Sequence, residues 1–260
     1  MSAAGIAIAR EGAIASLRFD RPQRRNALTA EMYATLAQAL DDAGRDAAVR
    51  VVLFEGSAGA FTAGNDIEDF ARRPPEGEEA PVFRFLQAVA AARKPLVAAV
   101  EGVAVGIGTT LLLHCDLVYA GDKARFSMPF TRLGLVPEFA SSYLLPLAAG
   151  YHRAAEMLLL GEPFDAAQAL EAGIVTRVVA SGGARDAALD AARRLAALPA
   201  EPVRLTKELL KAAHADAIRA QLARESAQFR RLLHGPAARE ALAAFLEKRP
   251  ADFSRCADTL

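Results

Sequence analysis

A single glutamate in an apolar stretch is the first residue of this chain that could do chemistry. Glu138 follows Pro137, and its neighbours in Leu133-Gly-Leu-Val-Pro-Glu-Phe-Ala-Ser-Ser-Tyr are apolar or small. A carboxylate in such surroundings either faces solvent or lies in a pocket that raises its pKa. A raised pKa suits a general base that must later return its proton. Glu138 is therefore a candidate base, although an exposed carboxylate is the simpler interpretation of the residue taken alone.

Two small-residue turns form the second candidate feature. The segments are Gly59-Ala-Phe-Thr-Ala-Gly-Asn-Asp-Ile and Val100-Glu-Gly-Val-Ala-Val-Gly-Ile-Gly. Each follows an apolar strand-like run and leads into a helix, where backbone N–H groups are free to face an anion. Brought together, the two turns would supply convergent donors, which is the geometry of an oxyanion hole. Each segment taken alone is also consistent with an ordinary tight turn.

Other segments resemble known functional motifs but lack residues that those motifs require. Gly106-Ile-Gly-Thr-Thr-Leu lacks the third glycine of a dinucleotide fingerprint and has no suitably placed acidic partner. Gly56-Ser-Ala-Gly is one residue short of a nucleophile elbow, so Ser57 is interpreted as a turn residue. The run of Glu76, Glu78 and Glu79 is interpreted as a solvated loop.

The histidines and cysteines do not predict a metal site. The four histidines show no recurring ligand spacing with one another or with either cysteine. The nearest cluster, His114-Cys115-Asp116, consists of adjacent residues that point in different directions, and it is interpreted as a packed helix end.

Composition limits the class of protein. Lys and Arg together number 31, as do Asp and Glu, so the neutral charge gives no reason to expect nucleic acid or an anionic membrane as partner. Two cysteines cannot build a disulfide framework. No signal-peptide pattern or membrane-length apolar run is present, and the final Asp-Thr-Leu is not a peroxisomal address. A cytoplasmic protein is expected.

The elements that must position these residues alternate between strand and helix. Strands are predicted at 6–8 and 14–19, joined as a hairpin at Glu11-Gly12, and at 49–54, 96–100, 117–120 and 125–127. Helices are predicted from Thr29 to Gly44, over 81–93 and over 106–114, with a loop at 71–80. From about Arg185 only helical spacing remains. The fold class is therefore α/β with a helical C-terminal region.

The candidate segments, in their order and spacing, resemble the crotonase (enoyl-CoA hydratase/isomerase) superfamily over nearly the whole chain. The matching motifs are Arg21-Pro-Gln-Arg-Arg-Asn-Ala-Leu, Phe61-Thr-Ala-Gly-Asn-Asp, Lys94-Pro95, Gly102-Val-Ala-Val-Gly, Cys115-Asp-Leu-Val-Tyr-Ala and Ala244-Phe-Leu-Glu-Lys-Arg. The resemblance implies a spiral of ββα units at 1–197 and a helical trimerisation region at 198–260.

The resemblance also implies an acyl-CoA thioester as substrate. Its carbonyl oxygen would lie between the backbone N–H groups of Asn65 and Ile107, and the dipole of the helix that opens at Gly106 would add to the stabilisation of an enolate. Ile107 stands where the family often has glycine, so the helix must begin there without left-handed geometry. CoA would contact Arg24, Arg25, Ala27, Ala63, Asp66, Ile67, Phe245 and Lys248, the last two either within one chain or across a subunit boundary. Asp66 is also a candidate helix cap, Phe245 a candidate core residue and Lys248 a candidate solvated lysine.

Departures from the family pattern favour one of its reactions. Thr110 and Phe130 stand where hydratases carry two glutamates, which argues against efficient hydration. The Pro-Glu-Phe-Ala-Ser-Ser-Tyr segment resembles that of peroxisomal-type Δ3,Δ2-enoyl-CoA isomerases, in which the matching glutamate is the single base. This similarity predicts a 1,3-proton shift by Glu138 from 3-enoyl-CoA to trans-2-enoyl-CoA.

Three alternatives remain open. Ring-1,2-epoxyphenylacetyl-CoA isomerases resemble the same segment but have aspartate after the proline. The others are low hydratase activity and a non-catalytic acyl-CoA-binding protein. The resemblance implies no metal or redox cofactor, and a homotrimer or a dimer of trimers. The 71–80 loop and the helix after it are expected to wall the acyl pocket, and Ser141 and Ser142 either contact Glu138 or begin a helix.

Overall fold

A computed structural model describes residues 2–3, 5–75, 77 and 79–256, in which strands and helices alternate up to Val179 and helices alone follow. This arrangement confirms the α/β class and the C-terminal helical region. The strands are β1 (Ser2–Ala3), β2 (Ile6–Glu11), β3 (Ile14–Phe19), β4 (Val51–Gly56), β5 (Leu96–Val100), β6 (Val103–Val105), β7 (Leu117–Gly121), β8 (Arg125–Ser127), β9 (Phe164–Asp165) and β10 (Arg177–Val179). The helices are α1 (Ala30–Arg45), α2 (Ile67–Arg72), α3 (Pro81–Ala90), α4 (Ile107–Thr110), α5 (Ser141–Ala149), α6 (Tyr151–Leu160), α7 (Ala166–Glu171), α8 (Ala184–Ala197), α9 (Ala200–Ala212), α10 (Ala215–Leu233) and α11 (Pro236–Glu247).

The larger sheet has the strand order β1-β2-β3-β4-β5-β7-β10. Strands β2 and β3 form the predicted antiparallel hairpin, and β3, β4, β5, β7 and β10 pair in parallel. Alternate residues of a strand point to opposite faces, so β4 buries Val52 and Phe54 on one face and Val51 and Leu53 on the other. Helices cover both faces, which explains why the central parallel strand β5 is apolar and buried throughout.

The smaller sheet has the order β6-β8-β9 and carries part of the candidate site. Strand β8 pairs in parallel with β6 and antiparallel with β9. Strand β6 ends at Val105, immediately before the glycine that precedes α4. The predicted strand at 125–127 is confirmed, whereas β6 and β9 are too short for a periodic pattern to reveal.

Several predicted boundaries were wrong. Helix α1 continues through Gly44 to Arg45, because tertiary packing of its apolar face outweighs the low helix propensity of one glycine. Helix α2 includes residues 71 and 72 of the expected loop, since the Asp66 side chain caps its first turn. Helix α3 ends at Ala90, and the helix expected over 106–114 is an α-helix of four residues that continues as a 3-10 helix, Leu111–His114. Glu76 and Glu78 lie outside the described residues.

The C-terminal helices are attached to the α/β part by specific polar contacts. Lys207 on α9 is almost fully buried, donates to the Lys94 carbonyl at 2.8 Å and pairs with Asp116 at 2.7 Å. Helix α10 packs against α5, and α11 packs against the 3-10 helix Thr131–Leu133. Among the described residues, no helix is long and apolar enough to span a membrane.

Candidate active site

The two small-residue turns lie side by side. Thr62 and Ala104 form a parallel bridge, in which Thr62 donates to the Val103 carbonyl and accepts from the Val105 N–H, each at 3.0 Å. Asn65 and Ile107 each lie three residues beyond that bridge, so they follow it in the same register. Gly64 permits the close approach: its φ is +84°, and a Cβ there would lie 2.7 Å from the Val105 oxygen.

The backbone N–H groups of Asn65 and Ile107 are free to bind a ligand. In the described part of the chain neither donates a hydrogen bond. Ile107 is the first residue of α4, where an N–H has no partner within the helix. The positive φ required before α4 falls on Gly106, with φ 56° and ψ −117°. Ile107 itself therefore begins the helix without left-handed geometry. Because α4 is so short, its dipole is weaker than the sequence led us to expect.

A cavity of about 540 Å³ opens beside these two N–H groups. Its wall contains nine of the eleven predicted site residues: Arg24, Arg25, Ala27, Ala63, Asn65, Asp66, Ile67, Ile107 and Phe245. Phe245 is largely exposed, so the core position considered for it is wrong. Lys248 is exposed at the end of α11 and lies off the wall, so its contact with CoA stays a prediction. Glu138 also lies off the wall.

Glu138 is buried, and its Oε1 has no hydrogen-bond partner. Of the two environments that the sequence allowed, the structure has the buried one. Burial, and then the negative charge of the nearby Glu225, raise the pKa of the Glu138 carboxyl to about 8. A carboxyl with that pKa exchanges its proton near neutral pH, as a general base must do when it returns the proton to its substrate.

Tyr33 connects Glu138 to the cavity. Its ring packs against Phe85, and its hydroxyl donates to the side-chain Oδ1 of Asn65. Burial, and then the charge of Glu138, raise the pKa of Tyr33 well above its usual value. Tyr33 therefore bonds to Asn65 through its hydroxyl and also responds to the charge of Glu138. The sequence did not single out Tyr33, because it occupies an ordinary apolar position of an amphipathic helix.

The backbone at Glu138 is held in an uncommon conformation. Phe139 and Ala140 have φ of 63° and 54°, which costs about 1 kcal/mol or more for each non-glycine residue. The Phe139 carbonyl accepts from His114 Nε2 at 2.8 Å, and the Glu138 carbonyl accepts from the Ser141 hydroxyl at 2.6 Å. Burial lowers the pKa of His114 to about 3, so this imidazole is neutral. Ser141 thus fulfils both expectations, because it also begins α5.

The two positions at which hydratases carry glutamates hold residues without an ionisable group. Thr110 is buried with its hydroxyl unpartnered, and Phe130 lies on the cavity wall. The carboxylates on that wall are those of Asp66 and Glu68. Neither is free, because Asp66 pairs with Arg21 at 2.5 Å and Glu68 pairs with Arg24 at 3.2 Å.

Asp66 has a structural task. Its side chain accepts from the Asp69 N–H at 3.0 Å and caps α2, as the sequence allowed. Burial acts to raise the pKa of this carboxyl, but the hydrogen bond from Arg21 and the Asp69 N–H outweigh burial, so the pKa is lowered. The carboxylate stays ionised and fixes the turn next to Asn65.

Asn26 organises the same region. It is fully buried, and its side-chain oxygen accepts from the Arg21 N–H at 2.9 Å while its amide donates to the Ala60 carbonyl at 2.7 Å. These bonds stabilise the left-handed conformations of Arg25 and Asn26 itself, at φ 49° and 59°. The arginine-rich turn is thereby fixed at the wall of the cavity. Asn26 belongs to a matching motif, but nothing in its spacing indicated this role.

The His114-Cys115-Asp116 cluster is not a joint site. His114 bonds to Phe139, Asp116 pairs with Lys207, and the Cys115 thiol lies 3.6 Å from the Leu111 carbonyl. Burial, followed by the charge of Asp116, raises the pKa of Cys115 to about 12, which keeps the thiol protonated. No group of three potential metal ligands occurs within the described ranges.

Comparison with known proteins gives matches to one enzyme family. A family model described as enoyl-CoA hydratase/isomerase matches residues 9–255. The protein named enoyl-CoA delta isomerase 2 of Rattus norvegicus is 38% identical over 213 residues, which are 80% of this chain and 54% of that protein. The chain therefore spans about half the length of that relative.

Two further matches extend over almost the full length of both partners. The 1,2-epoxyphenylacetyl-CoA isomerase of Escherichia coli (strain K12) is 36% identical over 253 residues, covering 94% of this chain and 96% of that protein. The solved structure of Pseudomonas aeruginosa OdaA is 46% identical, with a TM-score of 0.92 and coverage of 94% of this chain and 99% of that one. The fold described above is therefore shared with known structures.

Proposed function

Because this chain belongs to the enoyl-CoA hydratase/isomerase family, we propose that it converts a 3-enoyl-CoA into the trans-2-enoyl-CoA. The observation that carries the proposal is the buried carboxyl of Glu138, which has a pKa near 8 and one unpartnered oxygen. No other carboxylate at the family's acid–base positions competes with it, since Thr110 and Phe130 occupy them.

The reaction needs one base and one anion site. Glu138 removes a proton from C2, and the electrons of the broken C–H bond pass into the thioester to give a dienolate. The N–H groups of Asn65 and Ile107 donate to the thioester oxygen, which carries the new charge. The protonated Glu138 then delivers the same proton to C4 while the double bond moves to C2–C3. Atoms and charge balance without a second reactant.

Hydration requires more than this site offers. Adding water needs one group that activates the water and an acid that protonates C2. The hydroxyl of Thr110 and the ring of Phe130 supply neither. A proton shift within the substrate needs a single carboxyl that first accepts and then returns the proton, which matches the site better.

We propose that CoA occupies the larger cavity. Arg24 and Arg25 on its wall are suited to the phosphates, because guanidinium groups bind phosphate oxygens in a bidentate manner. Phe245 also lies on the wall of this cavity, where it would contact the nucleotide, and Lys248 would reach the nucleotide of the same or of a neighbouring subunit.

The acyl group would enter a second, smaller cavity of about 260 Å³. This cavity shares Asn65, Asp66 and Phe70 with the larger one, and Tyr33 lines it. Residues 73–75 and 80–82 form its outer wall. This position agrees with the expectation that the 71–80 loop and the following helix enclose the acyl chain.

A homotrimer, or a dimer of trimers, is the assembly that we propose. Large apolar side chains are exposed on α6 and α9, among them Leu159, Leu209 and Leu210. Exposed apolar patches of this kind mark contact surfaces between subunits. Light scattering in solution should give three or six times the mass of one chain, and a monomer at micromolar concentration would contradict the assembly.

The test uses 3-hexenoyl-CoA and follows the absorbance of the conjugated thioester as it forms. Glu138→Gln should lower kcat by about 10²–10⁴-fold while binding of the CoA ester is retained. The matched control is Glu208→Gln, which removes an exposed carboxylate on α9. Wild-type kcat in the Glu138 variant would refute the assignment of the base.

A parallel assay with crotonyl-CoA separates the other activities. Loss of the conjugated absorbance would indicate a hydratase, and tight binding without turnover of either ester would indicate an acyl-CoA-binding protein. A second candidate is isomerisation of a ring-1,2-epoxyphenylacetyl-CoA, because the relative of that name matches nearly the whole chain. Turnover of that epoxide in preference to 3-hexenoyl-CoA would favour it.

A further inference from the structure

A second buried carboxylate lies beside the candidate base and comes from the C-terminal helical region. Glu225 on α10 is 5% exposed. Its Oε2 accepts from the Ala140 N–H at 2.5 Å, and its Oε1 accepts from the Ser142 N–H at 3.0 Å and from the Ser142 hydroxyl. Both carboxylate oxygens are therefore bonded, in contrast to the free Oε1 of Glu138.

These contacts hold the residues that immediately follow Glu138. Phe139 and Ala140 adopt left-handed φ values, which non-glycine residues keep only when their surroundings enforce them. The Ala140 N–H that Glu225 binds belongs to that left-handed pair, and the Ser142 N–H lies in the first turn of α5. Gln221, one turn earlier on α10, donates to the Ser142 hydroxyl at 2.8 Å. Helix α10 thus contacts the turn through two side chains, Gln221 and Glu225, that lie on successive turns of the helix.

We propose that Glu225 is a positioning residue for Glu138: its carboxylate fixes the turn at Phe139 and Ala140 and so holds the Glu138 carboxyl in one orientation with a free oxygen. The proposal rests on the base role assigned to Glu138 above. It gives the C-terminal helical region a part in the chemistry, besides any part in assembly.

The hydrogen bonds decide which of the two carboxyls carries a proton. A carboxylate that accepts three hydrogen bonds favours its ionised form, whereas one without donors favours its neutral form. Burial raises the pKa of Glu225, and its bonds to Ser142 and Ala140 oppose that rise. The hydrogen bonds therefore favour the ionised form of Glu225, and its negative charge adds to burial in raising the pKa of Glu138.

The other titratable groups around the turn are few among the described residues. Tyr33 on α1 responds to the charge of Glu138, and neutral His114 bonds to the Phe139 carbonyl. On the far side of α5, Tyr143 shares a hydrogen bond with His214 at 2.9 Å. Within this set, Glu225 supplies the negative charge that acts on Glu138.

Two variants of Glu225 distinguish the effect of its negative charge from the effect of its hydrogen bonds to the turn. Glu225→Gln removes the charge, and Glu225→Asp keeps it but withdraws the carboxylate from Ala140 and Ser142. Asp216→Asn, at an exposed position of the same helix, is the matched control. In the full-length chain we would measure three quantities: kcat and KM for 3-hexenoyl-CoA against pH, the carbon-13 titration of the Glu138 carboxyl, and hydrogen exchange at the amides of Ala140 and Ser142.

For Glu225→Gln we expect kcat to fall at least about tenfold with little change in KM, and the Glu138 titration to move down by about one pH unit. The part of the kcat–pH profile that reports the ionisation of Glu138 should move to lower pH by the same amount. A purely structural role of Glu225 would not cause that movement. Glu225→Asp should leave the titration near its wild-type position, lower kcat and speed exchange at both amides.

The outcomes distinguish this proposal from the proposed function. Unchanged kcat, titration and amide exchange in both variants would overturn the role of Glu225 while the isomerase activity stands. If the wild-type chain does not isomerise 3-hexenoyl-CoA, the proposed function fails, and the titration and amide exchange still decide the role of Glu225. If Glu225→Gln does not fold, unchanged exchange and kcat in Glu225→Asp would overturn it.

Discussion

Tyr33 donates its phenolic hydrogen to the side-chain oxygen of Asn65, and this contact joins helix α1 to the turn beside the larger cavity. The same tyrosine lies close enough to Glu138 for the carboxylate to raise its pKa. One side chain therefore contacts the proposed anion site and interacts electrostatically with the proposed base. This pair of interactions relates helix α1 to two segments that are far apart in the sequence.

Loss of the Tyr33 hydroxyl should weaken catalysis more than folding. In Tyr33→Phe the ring still packs against Phe85, but the Asn65 side chain loses its donor. A neutral hydrogen bond contributes about 0.5–1.5 kcal/mol, so we expect kcat to fall about two- to tenfold. Tyr143→Phe, which removes a hydroxyl bonded to His214, is the control. An equal loss in both variants would argue against a specific role for Tyr33.

A methyl group at Gly64 should separate the two turns. Its Cβ would lie 2.7 Å from the Val105 oxygen, and φ there is +84°. Gly64→Ala should therefore lower kcat at least about tenfold, because the two N–H donors no longer converge. Gly12→Ala is the control, with a positive φ but open space around the new Cβ. That variant should lose only about 1 kcal/mol of stability and keep its activity.

The raised pKa of Glu138 predicts how stability depends on pH. In the unfolded chain this carboxyl titrates near the usual value of 4.5, and in the folded chain near 8. Between those values the folded state binds more protons, so stability falls as pH rises across the window, by up to about 1.4 kcal/mol for each unit of pKa difference.

Glu138→Gln removes this dependence. Urea denaturation at pH 5 and at pH 9 should show the variant gaining stability relative to the wild type as pH rises. The same difference between the two proteins at both pH values would contradict the raised pKa.

The attachment of α9 to the sheet depends on the buried pair of Lys207 and Asp116. Asp116→Asn would leave the Lys207 ammonium buried beside a neutral amide, at a cost of about 3 kcal/mol or more in the free energy of unfolding. Glu208→Gln, which breaks the exposed pair with Arg93, should cost less than about 0.5 kcal/mol. Equal denaturation midpoints for the two variants would show that the buried pair is dispensable.

Local patterns predicted the elements and the reactive segments of this chain. The alternation of apolar runs and turns located the sheet. A lone carboxylate among apolar residues made Glu138 a candidate base, and the family resemblance then distinguished it from an exposed surface residue. The two turns were recognised because glycines and small residues are needed where backbone segments approach closely.

Contacts between distant segments were not predictable in the same way. Tyr33 occupies an apolar position of α1, and its partner Asn65 lies 32 residues away. Glu225 follows an arginine on a charged helix and resembles a solvated residue, although it is buried. The left-handed geometry of Phe139 and Ala140 opposes their local preference, so only the tertiary contacts produce it.

The most direct test of the single-carboxyl mechanism follows the hydrogen itself. A single turnover of 3-hexenoyl-CoA carrying two deuterium atoms at C2 would be analysed by NMR of the product. Since Glu138 is buried, we predict that trans-2-hexenoyl-CoA carries deuterium at C4 in a substantial part of the molecules. A conjugated product with no deuterium at C4, or no conjugated product at all, would contradict the account.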